Sequence, residues 1–213
     1  QKDTFMMLPY CIATRDQVKS VMLFSNHGWR ELAGKTIGIV DDTATSVRLL
    51  QVLLEKRYGV KAAFRRMHSG VNNYDGCDAV LMIGDEALRH QKTGLQSFEL
   101  VYDLAAEWYQ WQNLPFVFAV WAVRKSLTEE KREELTMLIQ TSLRKGELDL
   151  ERISVAHAKR IGWSSGEAME YLEGFNYHLG EREREAIGVF EGLLTSIEGE
   201  AEGTVDGSQL QQN

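Results

Sequence analysis

The sequence predicts an α/β fold with a largely parallel sheet, and three features carry that prediction. Short apolar runs recur at Thr36–Val40, Asp78–Ile83 and Phe98–Leu104, each followed by a segment with helical spacing. Several runs, such as Ser-Val-Met-Leu-Phe at 20–24, are nearly continuous in apolar residues, as strands buried on both faces are. Strands that alternate with helices in this way pack those helices onto the faces of a sheet. After Arg124 the pattern turns to helices.

Taken in order, Phe5–Ala13 and Ser20–Phe24 are expected strands, separated by the polar connector Thr14–Lys19. Trp29–Ala33 reads as a short helical turn closing at Gly34. Thr36–Val40 is a β-branched run suited to a buried strand. Beyond it, Val47, Leu50, Leu53 and Leu54 share one helical face, and the helix that begins near Thr45 stops at Tyr58-Gly59. Ala62–Met67 is a weaker strand, followed by a loop containing Gly70, Asn72, Asn73, Asp75 and Gly76. Asp78–Ile83 ends in Gly84-Asp85 and a helix at Glu86–His90, and Phe98–Leu104 leads into the helix Ala105–Gln112. The most apolar run of the chain is Leu114–Val123.

Ser126–Lys145 carries Leu135, Leu138, Ile139 and Leu143 on one stripe, with Ser126 and Glu129 spaced as a capping box. Leu148–Ile161 and Ser165–Gly174 are further helices, the second capped by Ser164 or Ser165. Phe175–Leu179 reads as a short strand or extended link. Glu181–Ile197 is a final amphipathic helix that buries Ile187, Phe190, Leu193, Leu194 and Ile197. Residues 198–213 hold almost no apolar side chains and are expected to form a disordered tail.

Composition narrows the function. At 213 residues the chain suffices for one substantial domain or two small lobes. A net charge of −7 and the lack of a basic stripe with interleaved aromatics argue against a nucleic-acid partner. No apolar run approaches the roughly 18 residues that span a bilayer, so no membrane partner is expected. Cys11 and Cys77 are too few and too far apart for a disulfide scaffold, and read as buried free thiols. The five histidines share no ligand spacing with one another or with cysteine, so no metal is expected. Glycine-rich nucleotide motifs and the serine-hydrolase elbow are missing too. Gln1-Lys2-Asp3 leads straight into Phe5–Ile12 without a signal-peptide pattern, and the expected compartment is the cytoplasm.

The elbow between Val40 and the following helix, Asp41 to Ser46, is rich in helix-capping residues. A strand that enters such a turn and then a helix presents unpaired backbone N–H groups and a positive dipole end, a ready site for a carboxylate or phosphate. Thr43, Thr45 or Ser46 can equally serve as a plain helix cap. Asp41 and Asp42 are neighbours in an extended chain and point opposite ways, so a loop or helix-dipole role suits them better than a shared site. Asp103 and Glu107 lie at the end of another strand, where they can face a cleft or solvent. Trp108, Trp111 and Trp121 are most simply core or interlobe packing.

Four segments in this order resemble the chorismate dehydratases of menaquinone biosynthesis, in the futalosine route. They are Val18–Val21 leading into Leu23-Phe24-Ser25, Thr43–Leu50, Leu81–Arg89, and Tyr102-Asp103-Leu104 through Trp108 and Trp111. The last runs on into Leu-Pro-Phe-Val-Phe-Ala-Val-Trp at 114–121, the most specific string of the set. The resemblance covers about residues 8 to 195.

That resemblance implies an α/β fold like the type II periplasmic binding proteins, with two lobes and a ligand cleft between them. The chain would cross between lobes near Ser20–Ser25 and Pro115–Phe118. One lobe would then comprise 1–23 and 117–197, and the other the inserted segment 24–116. Family members open with a strand ending in Leu-Asn; no such segment is present here, so the first lobe is expected to lack its N-terminal strands. The implied reaction is loss of water from chorismate to give 3-[(1-carboxyvinyl)oxy]benzoate, with no redox cofactor or metal. Ser20 corresponds to a serine that faces the substrate, and Thr43, Ala44, Thr45 and Ser46 to the carboxylate-binding turn. Asp103 is a further candidate for the substrate cleft. The small-molecule partner would be chorismate, and the sequence leaves the oligomeric state open. The alternative is a non-catalytic solute-binding protein of the same fold that holds a small carboxylate.

Overall fold

The first strand, β1 (Phe5–Thr14), carries Pro9 in its interior, which a regular ladder rejects because proline has no N–H to donate. The strand accommodates it with a register shift between Met7 and Cys11 against β7 (Phe116–Arg124), and the Pro9 carbonyl accepts from the Leu179 N–H beyond the opposite edge. The structure is a computed structural model describing residues 4–40, 44–68 and 74–206, with side chains described to residue 200. Asp41, Asp42, Thr43, Gly70, Asn72 and Asn73 therefore lie outside the described residues.

Strands β1, β7 and β8 (Phe175–His178) form an antiparallel sheet in the order β7-β1-β8. A second sheet of five strands has the order β4-β3-β5-β2-β6, built from β2 (Val21–Ser25), β3 (Thr36–Val40), β4 (Ala63–Met67), β5 (Ala79–Ile83) and β6 (Leu100–Asp103). The α/β class is as the sequence predicts, but the largely parallel sheet is not. Among the described residues, only the β3–β4 and β3–β5 pairings are parallel, while β2 runs antiparallel to both of its neighbours. The reason is connectivity: β2 enters this sheet from the other one, not through a helical crossover, so the handedness rule for parallel units does not bind it.

The chain passes between the sheets twice, over residues 15–20 and again over 113–115. The first passage lies upstream of the expected Ser20–Ser25, because β2 pairs with β5 and β6 along its whole length. Residues 21–23, expected in the first lobe, thus sit in the five-stranded sheet.

Between β3 and β4 lies α1 (Ala44–Val52), which widens into a π-type turn at Leu53–Arg57 and closes at Gly59, where φ is +71°. Helices α2 (Gly84–Thr93) and α3 (Leu104–Gln112) follow β5 and β6. Trp108 on α3 is fully buried and meets Phe116 of β7 edge-on at 5.4 Å. It also meets Phe190 of α7 (Glu181–Asp206) edge-on at 5.8 Å, so one apolar core runs through both sheets.

Two helix expectations need correction. α4 (Glu129–Leu148) is capped by Thr128, whose Oγ accepts from the Lys131 N–H, so Glu129 is its first residue and no Ser126–Glu129 box forms. None of its residues is buried, and Leu138, expected on the packed stripe, is 62% exposed. The expected tail is also revised: 198–206 continue α7, with Glu198 3.5 Å from Arg48 and Glu200 2.5 Å from Lys56. Residues 207–213 lie outside the described residues. α5 (Leu150–Ile161) and α6 (Ser165–Glu173) complete the fold. Among the described residues, no helix is long and apolar enough to cross a membrane.

Candidate active site between the two sheets

The connector 15–20 ends on Ser20, and Asp103 fixes that connector. One carboxylate oxygen of Asp103 accepts from the Val18 N–H at 2.9 Å and the Lys19 N–H at 2.6 Å. The other caps α3, accepting from the N–H groups of Ala105 and Ala106. Burial pushes the Asp103 carboxyl above its ordinary range, against the downward pull of these four backbone donors. Asp103, expected in the substrate cleft, thus has both oxygens engaged by backbone and does not line the cavity described below. Lys19 adopts φ +59°, a left-handed conformation that costs a non-glycine residue roughly 1 kcal/mol or more. Its ammonium reaches Glu170 of α6 at 2.7 Å.

Held in this way, Ser20 is 7% exposed and borders a cavity of about 410 Å³ between the sheets. The Ser20 carbonyl accepts from the Gly84 N–H at 2.8 Å, and its hydroxyl is 3.0 Å from the Tyr171 hydroxyl of α6. Ser46, Gly84, Phe118, Tyr171 and Tyr177 share the lining with it. Among the described residues, every polar side chain in the lining is a hydroxyl, from Ser20, Ser46, Tyr171 and Tyr177, and none is charged. Burial raises both tyrosine hydroxyls above their ordinary pKa, so they stay protonated donors at neutral pH.

Ser46 lies in the first turn of α1 and Gly84 is the first residue of α2. Two helix N-termini therefore open on one cavity, each with a positive dipole end worth roughly 0.3–1 kcal/mol to an anion. Gly84 has φ +66°, a backbone that a side chain would strain. The structure thus brings Ser20 and Ser46 to one wall. Ala44 is exposed and Thr45 half-buried, and neither lines the cavity; Thr43 lies outside the described residues.

Tyr171, Phe175 and Tyr177, on α6 and β8, were missed as site residues. Phe175-x-Tyr177 was visible as strand alternation, which places two aromatic rings on one face. Nothing local marked Tyr171, whose partner lies 151 positions away in the chain. Among the described residues, no group of three or more His, Cys, Asp and Glu is placed to hold a metal ion.

A hydroxyl-lined cavity between two sheets, beneath two helix N-termini, defines an α/β protein with room for a small molecule. The chain belongs to the menaquinone biosynthesis family, whose model matches residues 1–195. It is 32% identical over 203 residues to a chorismate dehydratase of Thermus thermophilus, a match covering 89% of this chain and 73% of that one. A solved structure of a protein from Archaeoglobus fulgidus is similar at 20% identity and a TM-score of 0.65, over 95% of this chain and 75% of that one. The second substrate-binding domain of a putative amino acid ABC transporter from Streptococcus pneumoniae overlaps partially, at 18% identity and a TM-score of 0.35 over 84% of this chain and 67% of that one. The Archaeoglobus fulgidus structure shares the fold over most of this chain, an α/β fold with two sheets, and α/β is the class that the sequence led us to expect.

Proposed function

We propose that the protein is a cytoplasmic lyase that removes water from chorismate, giving 3-[(1-carboxyvinyl)oxy]benzoate in the futalosine route of menaquinone biosynthesis. The observation that carries this reading is the convergence of the Ser20 and Ser46 hydroxyls with two helix N-termini on one cavity whose described lining is uncharged. Family membership and the relationship to a chorismate dehydratase support the choice of substrate. Chorismate carries two carboxylates, and helix N-termini with adjacent hydroxyls suit such groups without a cationic side chain. We place the lobe division at the two passages, 15–20 and 113–115, so that the cavity lies between the lobes.

In the reaction, a ring C–H bond and the C–O bond to the ring hydroxyl break, the six-membered ring becomes aromatic, and the proton and hydroxide leave as one water. The departing hydroxyl needs a hydrogen-bond donor as negative charge gathers on its oxygen. Ser20 fills that role. Among the described residues, the lining holds no imidazole or carboxylate that would turn its hydroxyl into a base. Ser46 and the start of α1 would receive a substrate carboxylate.

The direct test incubates the purified protein with chorismate and follows the loss of one water by mass spectrometry. Conversion that falls at least roughly a hundredfold in Ser20→Ala supports the lyase, since deleting a donor to a developing charge costs about that much. Chorismate binding without conversion would instead make the protein a solute-binding module.

A further inference from the structure

We infer that Tyr171 is a positioning residue for Ser20, fixing the serine hydroxyl as a donor into the cavity; the inference rests on the lyase reading and adds a residue to it. The two oxygens are 3.0 Å apart, which is hydrogen-bonding distance. A phenol is a far stronger acid than an aliphatic alcohol and is the better donor of the two. With the single Tyr171 hydrogen directed at Ser20 Oγ, the hydrogen of Ser20 is directed away from Tyr171 and towards the substrate. A donor chain from Tyr171 through Ser20 to the departing oxygen polarises along its length and strengthens the last link.

The surroundings of Tyr171 fix its ring. It packs edge-on against Trp163 at 5.9 Å and against Phe175 at 5.1 Å. α6, which carries it, begins in a capping box between Ser164 and Glu167. The same Glu167 carboxylate takes Lys92 of α2 at 2.8 Å, and Glu170, one residue before Tyr171, takes Lys19 of the connector at 2.7 Å. The Ser20–Tyr171 bond therefore joins the chain's passage between the sheets to α6, beside the Lys19–Glu170 pair.

The experiment is a double-mutant cycle of Ser20→Ala and Tyr171→Phe, reading kcat and KM for chorismate beside chorismate affinity by calorimetry. Phenylalanine keeps both edge contacts of the ring and removes only the hydroxyl. Tyr171→Phe is expected to lower kcat on the order of tenfold while leaving KM within about twofold. On the Ser20→Ala background it is expected to do nothing further. An equal loss in both backgrounds, or none in either, overturns the positioning role and leaves the chorismate chemistry standing. If the wild-type protein binds chorismate without converting it, the catalytic reading fails, and the cycle is read in affinity: non-additive losses support the pair, and additive ones overturn it. A wild-type protein that neither binds nor converts chorismate overturns both.

Discussion

Asp103 shows how a single carboxylate can organise a site without entering it. Its two oxygens accept four backbone N–H groups, two from the connector and two from α3. Asp103→Asn replaces one acceptor oxygen by an NH₂ group that must face N–H donors. Since a lost charged hydrogen bond costs about 1.5–3 kcal/mol, the variant is expected to unfold at least about 2 kcal/mol more easily in urea. An unchanged midpoint would contradict the clamp. The burial that raises the Asp103 pKa also sets a sign: a raised carboxyl contributes most to stability at low pH, and that contribution is lost as pH rises through its folded value. Cys11 gives a second residue-scale prediction. Burial, with Glu183 nearby, raises its thiol to about 11, so at pH 8 Ellman's reagent should label only Cys77 in the folded protein. Two fast thiols would contradict the packing of β1. Legibility at this scale was uneven. Ser20 and Ser46 stood in recognisable motifs, whereas the spacing that suggested a cleft role for Asp103 says nothing about which donors the fold aims at it.

Among the elements, β3 leaves little room at Gly38. A Cβ on Gly38 would stand 2.5 Å from Met67 Sδ and 3.0 Å from Cys77 Sγ, so β4 and the approach to β5 close directly over this glycine. Gly38→Ala is therefore expected to destabilise by about 1–3 kcal/mol, measured by chemical denaturation, although β3 keeps its ladder. A neutral or stabilising result would mean that Met67 swings clear. Most elements were legible because period and punctuation agreed: Gly34, Gly59 and the Ser164 cap fall where the chain turns. Misread elements had a common cause. The start of α4 depends on the extended backbone at Thr128, and the length of α7 on cations of α1 and its π-type turn, and neither can be read from a local window. Strand direction in the five-stranded sheet failed likewise, since it follows from where β2 enters the sheet.

At the scale of the molecule, the two sheets share the Trp108–Phe116–Phe190 core, and a set of ion pairs ties α2 to α5 and α6. Arg160 meets Asp85 at 2.7 Å and Lys92 meets Glu167 at 2.8 Å. Hydrogen bonding from Lys92, with the donors of Ser164, holds the Glu167 carboxyl at about 2. A lowered carboxyl contributes stability in full above the ordinary value of 4.5 and loses it as pH falls towards 2. Urea midpoints of the wild type should thus fall faster over that window than those of Glu167→Gln, and less so at high salt because the pair is exposed. Parallel curves would rule out this latch. Here the sequence indicated the α/β class through its alternating pattern, but not which helices pack against each other, a property of contacts between residues far apart in the chain. Chorismate is expected at the Ser20–Ser46 wall, and a crystal structure with chorismate or its product bound is the sharpest test of that placement. The predicted result is ligand density between Ser20 and Ser46, with a carboxylate at the start of α1 or α2; density elsewhere, with this cavity empty at saturating ligand, would contradict it.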